Sequence, residues 1–115
     1  MPIGLVLAVA LAATPPAAEP AASGEALFNK WICASCHGKD RAGKAGAPSL
    51  RDVAKYWTVD RLADYLVDPP KVIASDPRLR AQAVQFPMNM PSFAAKPLDE
   101  RKRLAEWLIK QSEAR

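Results

Sequence analysis

Histidine occurs once in these 115 residues and cysteine twice, which excludes most metal and redox centres before any motif is sought. A structural zinc site takes about four protein ligands, and no further Cys or His exists to complete one. No stretch alternates apolar and polar residues with the period of a strand, so nothing competes with a helical reading. An apolar run of the 18 or more residues that span a bilayer is also missing: Ile3–Ala13 has the length of a signal-peptide core and no more. Basic residues are withheld from the start of the chain, where no Lys or Arg precedes Lys30. Over the whole sequence 16 basic residues face 12 acidic ones, a net charge of +4. Nothing resembles a nucleic-acid recognition motif, so that class of partner is not expected.

Both cysteines and the only histidine fall within five consecutive positions, Cys33-Ala34-Ser35-Cys36-His37, followed by Gly38. Two thiols three positions apart on one helical turn face the same side, so they can form thioethers with the two vinyl groups along one edge of a haem. His37 then lies under the iron and supplies an axial imidazole. Gly38 suits the helix end, because glycine accepts the left-handed conformation without a Cβ penalty. A redox dithiol would follow a strand in a βαβ unit, but the preceding Gly24–Ile32 reads as helix. A disulfide would leave the adjacent histidine unexplained. The sequence therefore points to one covalently attached haem c.

The chain is a single small domain behind a leader. Residues 1–13 read as a signal peptide with cleavage near Ala12 or Ala13, and residues 14–22, rich in Pro and Ala, as a linker. Residues 23–115 form the domain. The missing basic n-region implies a translation start upstream, or a trimmed chain. Export to the periplasm is the expectation; the alternative is an uncleaved leader that tethers the domain to a membrane. A domain of this size gains little stability from a protein core alone, so the haem should act as part of the core and the apoprotein should fold poorly.

An all-α fold of about four helices is predicted. The first begins near Ser23 or Gly24 and runs into the cysteine pair, with Leu27, Phe28, Trp31 and Ile32 apolar. Residues 39–48 are loop, and Leu50 and Val53 restart an apolar pattern. A second helix starts at Thr58 and stops at Pro69-Pro70; a short third runs from Asp76-Pro77 to before Phe86. The last takes Asp99 as N-cap and places Leu104, Trp107 and Leu108 on one stripe. The second axial position on the iron can be filled by Met88 or Met90, which lie in a stretch stiffened by Pro87 and Pro91.

The chain resembles the class I c-type cytochromes, small monohaem electron carriers. The matching pieces are Gly24 to Phe28, the Cys33–Gly38 turn, Ala47-Pro48-Ser49-Leu50, Met90-Pro91, and a closing helix containing Trp107, which together cover nearly all of residues 23–112. The resemblance implies the cytochrome c fold, with first and last helices crossing so that Leu27 and Phe28 meet Trp107 and Leu108. It implies His37 and Met90 as axial ligands, because the family's methionine stands directly before a proline; Met88 is the alternative. Pro48 is placed to accept a hydrogen bond from His37, and Tyr56 and Trp57 either contact a haem propionate or serve only as packing. The segment from Lys71 to Met90 is longer than in a minimal member.

The function so implied is one-electron transfer between redox proteins, without enzyme activity of its own. The partner would be an acidic surface facing Lys30, Lys39, Arg41 and Lys44, unless those four are ordinary solvated surface. Two rivals differ in kind. One is a haem subunit of a larger oxidoreductase complex, and the other a ligand-binding or peroxidatic haem protein with a displaceable sixth ligand.

Overall fold

A computed structural model describes residues 22–114, in which seven helical segments and no strand are found. The expected leader and the linker up to residue 21 lie outside these residues. No helix among the described residues is long and apolar enough to cross a membrane.

The core is a crossing of the first and last long helices. Helix α1 (Gly24–Lys30) starts at Ser23, whose Oγ accepts the Ala26 amide at 3.1 Å, and carries Glu25 in its first turn. Gly24, Leu27, Phe28 and Trp31 recur at the spacing of one helical face and are all buried. They pack on Leu104, Ala105 and Leu108 of α7 (Leu98–Glu113). At the crossing the Phe28 and Trp107 rings lie 5.5 Å apart and tilted by 46°. The backbones meet so closely that Gly24 has no room for a side chain.

Helix α1 does not run into the cysteine pair as expected. It ends at Trp31, because Ile32 adopts a left-handed backbone with φ 61°. The Cys33 amide then reaches back to the Phe28 carbonyl and the Ile32 amide to that of Asn29, both at 3.1 Å, which is the Schellman closure. A one-turn helix, α2 (Ala34–His37), restarts at once and is stopped by Gly38 at φ 87°. The cysteine turn is thus a separate short element, divided from α1 by the break.

Helix α3 (Val53–Tyr56) is short and is held to the end of α7 by Ser112. That hydroxyl donates to the Arg51 carbonyl at 2.8 Å and accepts the Ala54 amide at 3.2 Å. Helix α4 (Val59–Tyr65) begins at the predicted Thr58 cap and buries Leu62 and Ala63 against α7; Arg101 of α7 donates to the Ala63 carbonyl at 3.0 Å.

Helix α4 ends at Tyr65, short of Pro69-Pro70, and the prolines expected only to stop it begin another helix, α5 (Pro69–Ala74), since proline fits the first turn, where amides have no helical partner. Asp76 caps α6 (Pro77–Gln85), which packs on α5. The last helix starts two residues earlier than expected, with Pro97 rather than Asp99 at its cap. Asp99 sits instead in the first turn and pairs with Arg103 at 2.8 Å.

Candidate functional site

A cavity of about 500 Å³ opens between these helices, and all eight residues singled out from the sequence line it: Cys33, Cys36, His37, Pro48, Tyr56, Trp57, Met88 and Met90. Its apolar wall comes from the core itself, through Phe28, Leu62, Leu66, Leu104 and Leu108. That size and lining suit a large flat apolar group with a few polar attachment points.

The break at Ile32 decides how the thiols are presented. Cys33 is buried and its thiol is pushed up to about 11 by burial, so it is a protonated thiol at neutral pH. Cys36, one turn on, is exposed, and the two are free rather than bridged. Both border the cavity, as a pair of thioether positions on one edge of a macrocycle requires.

His37 is buried, with 8% of its surface exposed. Its Nδ1 lies 2.9 Å from the Pro48 carbonyl, an oxygen that only accepts, so Nδ1 carries the proton and Nε2 keeps its lone pair. Burial lowers the pKa of the ring from its usual value, and the bond to Pro48 opposes this without reversing it. A neutral, oriented imidazole is the form that binds a metal. The turn after it is pinned, since the Gly43 amide donates to the His37 carbonyl at 2.8 Å.

The two methionines have different surroundings. Met88 is 66% exposed. Met90 is half-buried and packs against the core beside Phe93. Its segment is tied down on the far side: the Phe93 amide donates to the Leu66 carbonyl at 2.7 Å and the Ser92 hydroxyl to that of Val67 at 2.5 Å. Phe93 stacks on Trp31, with centroids 5.5 Å apart, linking this loop to the end of α1.

Tyr56 and Trp57 have packing roles as well as places on the cavity wall. Trp57 meets Tyr65 edge-on at 5.1 Å and carries the Arg61 guanidinium over its face at 4.6 Å. Tyr56 is 43% exposed. Of the four cations expected on the rim, Lys30, Lys39 and Lys44 are exposed, and Lys44 Nζ reaches the Ser35 carbonyl beside Cys36 at 3.4 Å. Arg41 is half-buried over the Trp107 ring at 5.1 Å, so it belongs to the α1–α7 crossing more than to an open rim.

Tyr65 and Arg78 also line the wall, neither of them among the candidate site residues. Tyr65 is half-buried, and burial raises its hydroxyl pKa. Arg78, on α6, lies over the Tyr56 ring at 4.1 Å. The helical pattern of α4 places Tyr65 on the apolar face with Leu62 and Leu66, whereas no local pattern marks Arg78, which enters the wall only because α6 folds over Tyr56.

The donor set fits a covalently held haem: two thiols on one turn, a neutral imidazole with an oriented lone pair, and a thioether in an anchored loop, all around an apolar cavity. Comparison with known proteins agrees. Residues 21–112 match the model of the Cytochrome c family. Cytochrome c-551 of Stutzerimonas stutzeri is 37% identical over 106 residues, which span 91% of this chain and 89% of that protein. No solved structure matches the chain at a comparable level.

Proposed function

Because the chain belongs to the cytochrome c family, as a class I c-type cytochrome with covalently bound haem c, we propose that it is an exported carrier of single electrons with His37 and Met90 as its axial ligands. The observation that carries this reading is the bond from His37 Nδ1 to the Pro48 carbonyl, because it leaves Nε2 unprotonated in a cavity shared with both thiols and Met90. Haem c, when bound, supplies a one-electron couple whose potential is raised by a His/Met ligand pair.

The protein's own residues do the rest. Cys33 and Cys36 would hold the group by thioethers, so that it is not lost on turnover. Pro48 fixes the tautomer and plane of His37. Met90 would close the remaining axial position, and the Phe93 and Ser92 bonds to the end of α4 hold its loop against thermal opening. With His37 and Met90 both holding the iron, a substrate would find no site on it, and the leucines of the wall would give the group apolar surroundings. Lys30, Lys39 and Lys44 form the cationic side presented to an acidic redox partner. Residues 1–13 serve as the export signal and 14–22 as the linker.

The test is a redox titration of the haem-loaded protein. A single reversible one-electron wave, unaffected by carbon monoxide, is expected. Ready carbon monoxide binding by the unmodified protein would instead make it a ligand-binding haem protein. Electron-transfer rates with an acidic partner should fall as salt passes about 0.1 M, where the Debye length is about 10 Å. Rates indifferent to salt would remove the lysines from the docking surface.

A further inference from the structure

Arg78 presents a problem that the carrier reading leaves open. Its Nη2 is buried and meets no hydrogen-bond acceptor among the described residues. A guanidinium keeps its charge at every accessible pH, and a buried donor nitrogen of it left without an acceptor is costly.

The adjacent carboxylate does not supply that partner. Asp76 Oδ1 accepts the backbone amides of Arg78 and Leu79, at 2.8 and 3.4 Å, and its Oδ2 accepts Nη2 of Arg61 at 2.6 Å. Arg78 is meanwhile held in place from below. Its guanidinium carbon sits 4.1 Å from the Tyr56 ring centroid and 5.7 Å from that of Trp57, a cation over aromatic faces. Arg78, Tyr56 and Trp57 all line the same cavity. A fixed, fork-shaped cation with a free buried donor at a cavity wall is a receptor for a carboxylate.

The inference rests on the haem reading given above, since haem brings two propionate carboxylates into that cavity. We propose that Arg78 is the counter-ion of a haem propionate, donating through Nη2, with the Tyr56 ring as the platform that aims it. The propionate role expected of Tyr56 and Trp57 is thereby recast: their rings position the arginine that makes the bond. Arg78 comes from α6, within the stretch between Lys71 and Met90 that exceeds a minimal member of the family. The α5–α6 pair would then be an arm that delivers one charge to the cofactor.

The experiment compares the haem-loaded protein with Arg78→Met and Arg78→Lys. Arg78→Met keeps a long apolar stem on Tyr56 and deletes the charge. An opposite charge nearby lowers a carboxylate pKa by about 1–3 units. The pH at which the reduction potential inflects, where the propionate titrates, should therefore move up in Arg78→Met, a tenfold or greater rise in proton affinity, and stay near the parent value in Arg78→Lys.

Asp52 and Lys55 near α3, Arg61 and Tyr65 of α4, Asp76 at the cap of α6, and His37 are also charged or titratable around this wall. They are the same in all three proteins and drop out of the comparison.

Thermal stability gives a second reading of opposite sign. Arg78→Met should lower the melting temperature if a propionate pairs with the guanidinium. A raised melting temperature with an unmoved inflection would show the arginine unpaired and overturn the proposal. Haem staining of the parent after denaturing electrophoresis separates the two levels: without covalent haem the cytochrome reading itself fails, whereas with it only the role of Arg78 is at stake.

Discussion

Replacing Gly24 by alanine sets two well-measured effects against each other, and the structure says which wins. Within a helix, alanine is favoured over glycine by about 0.5–1 kcal/mol, so propensity alone calls for a more stable protein. Yet Gly24 faces α7 at the crossing. A Cβ built on it would stand 2.1 Å from Cβ of Trp107, 2.8 Å from its Cγ and 2.7 Å from the Arg103 carbonyl oxygen. Carbon atoms in contact want about 3.5–4.0 Å, so the helices must separate by more than an ångström. None of these neighbours is the tip of a flexible side chain that can swing aside.

Overpacking of this kind costs about 1–3 kcal/mol, and backbone-bound atoms put it at the upper end, leaving about 2 kcal/mol of net destabilisation after the propensity gain. For a domain of this size that is a fall of about 8–16 °C in melting temperature. Far-UV circular dichroism of the haem-loaded protein reads it directly. A melt unchanged or raised in Gly24→Ala would mean that α1 and α7 do not approach this closely.

Other perturbations follow from the same geometry. Ile32 holds a left-handed φ of 61° while 66% exposed, so Ile32→Gly should relieve strain at little packing cost. The left-handed penalty of about 1–2 kcal/mol, partly offset by the unfolded-state entropy of glycine, predicts a gain of about 1 kcal/mol in guanidinium unfolding. A loss would show that the Ile32 side chain has a packing role at the cavity mouth.

The carboxyl of Asp76 is held below its ordinary value of 3.8, first by the hydrogen bond from Arg61 and then by the Arg78 and Leu79 amides. Its folded pKa is thus lower than its unfolded one, so its contribution is complete above 3.8 and is lost as pH falls through the lower folded value. Asp76→Asn should be less stable at neutral pH, with the gap closing in acid. A gap constant with pH would deny the charge any part in it.

What is legible in the sequence tracks how local the determining physics is. Thr58 and Asp76-Pro77 announce α4 and α6 because a capping side chain acts within three residues of itself. The all-α class and the crossing of first and last helices are likewise readable, the second through the family resemblance. The break at Ile32 is hidden, because left-handed positions are normally signalled by glycine, and here a β-branched residue occupies one. Helices α2, α3 and α5 are too short to show a period, and Pro69-Pro70 looks like a stop although it is a start. The cysteine turn stands out because three scarce residues crowd into five positions. Arg78 does not, since its meaning depends on α6 lying over Tyr56 of α3.

The central claim, an iron closed by His37 and Met90, is tested most directly by the far-red absorption of the oxidised protein, read side by side in the parent, Met90→Ala and Met88→Ala. A methionine sulfur on ferric haem gives a weak charge-transfer band there. Met90 is packed and anchored while Met88 is 66% exposed, so Met90→Ala should lose the band, drop in reduction potential and bind carbon monoxide. Met88→Ala should keep the parent's spectrum and potential. Loss of the band in Met88→Ala instead, or a parent protein without the band, would contradict the account.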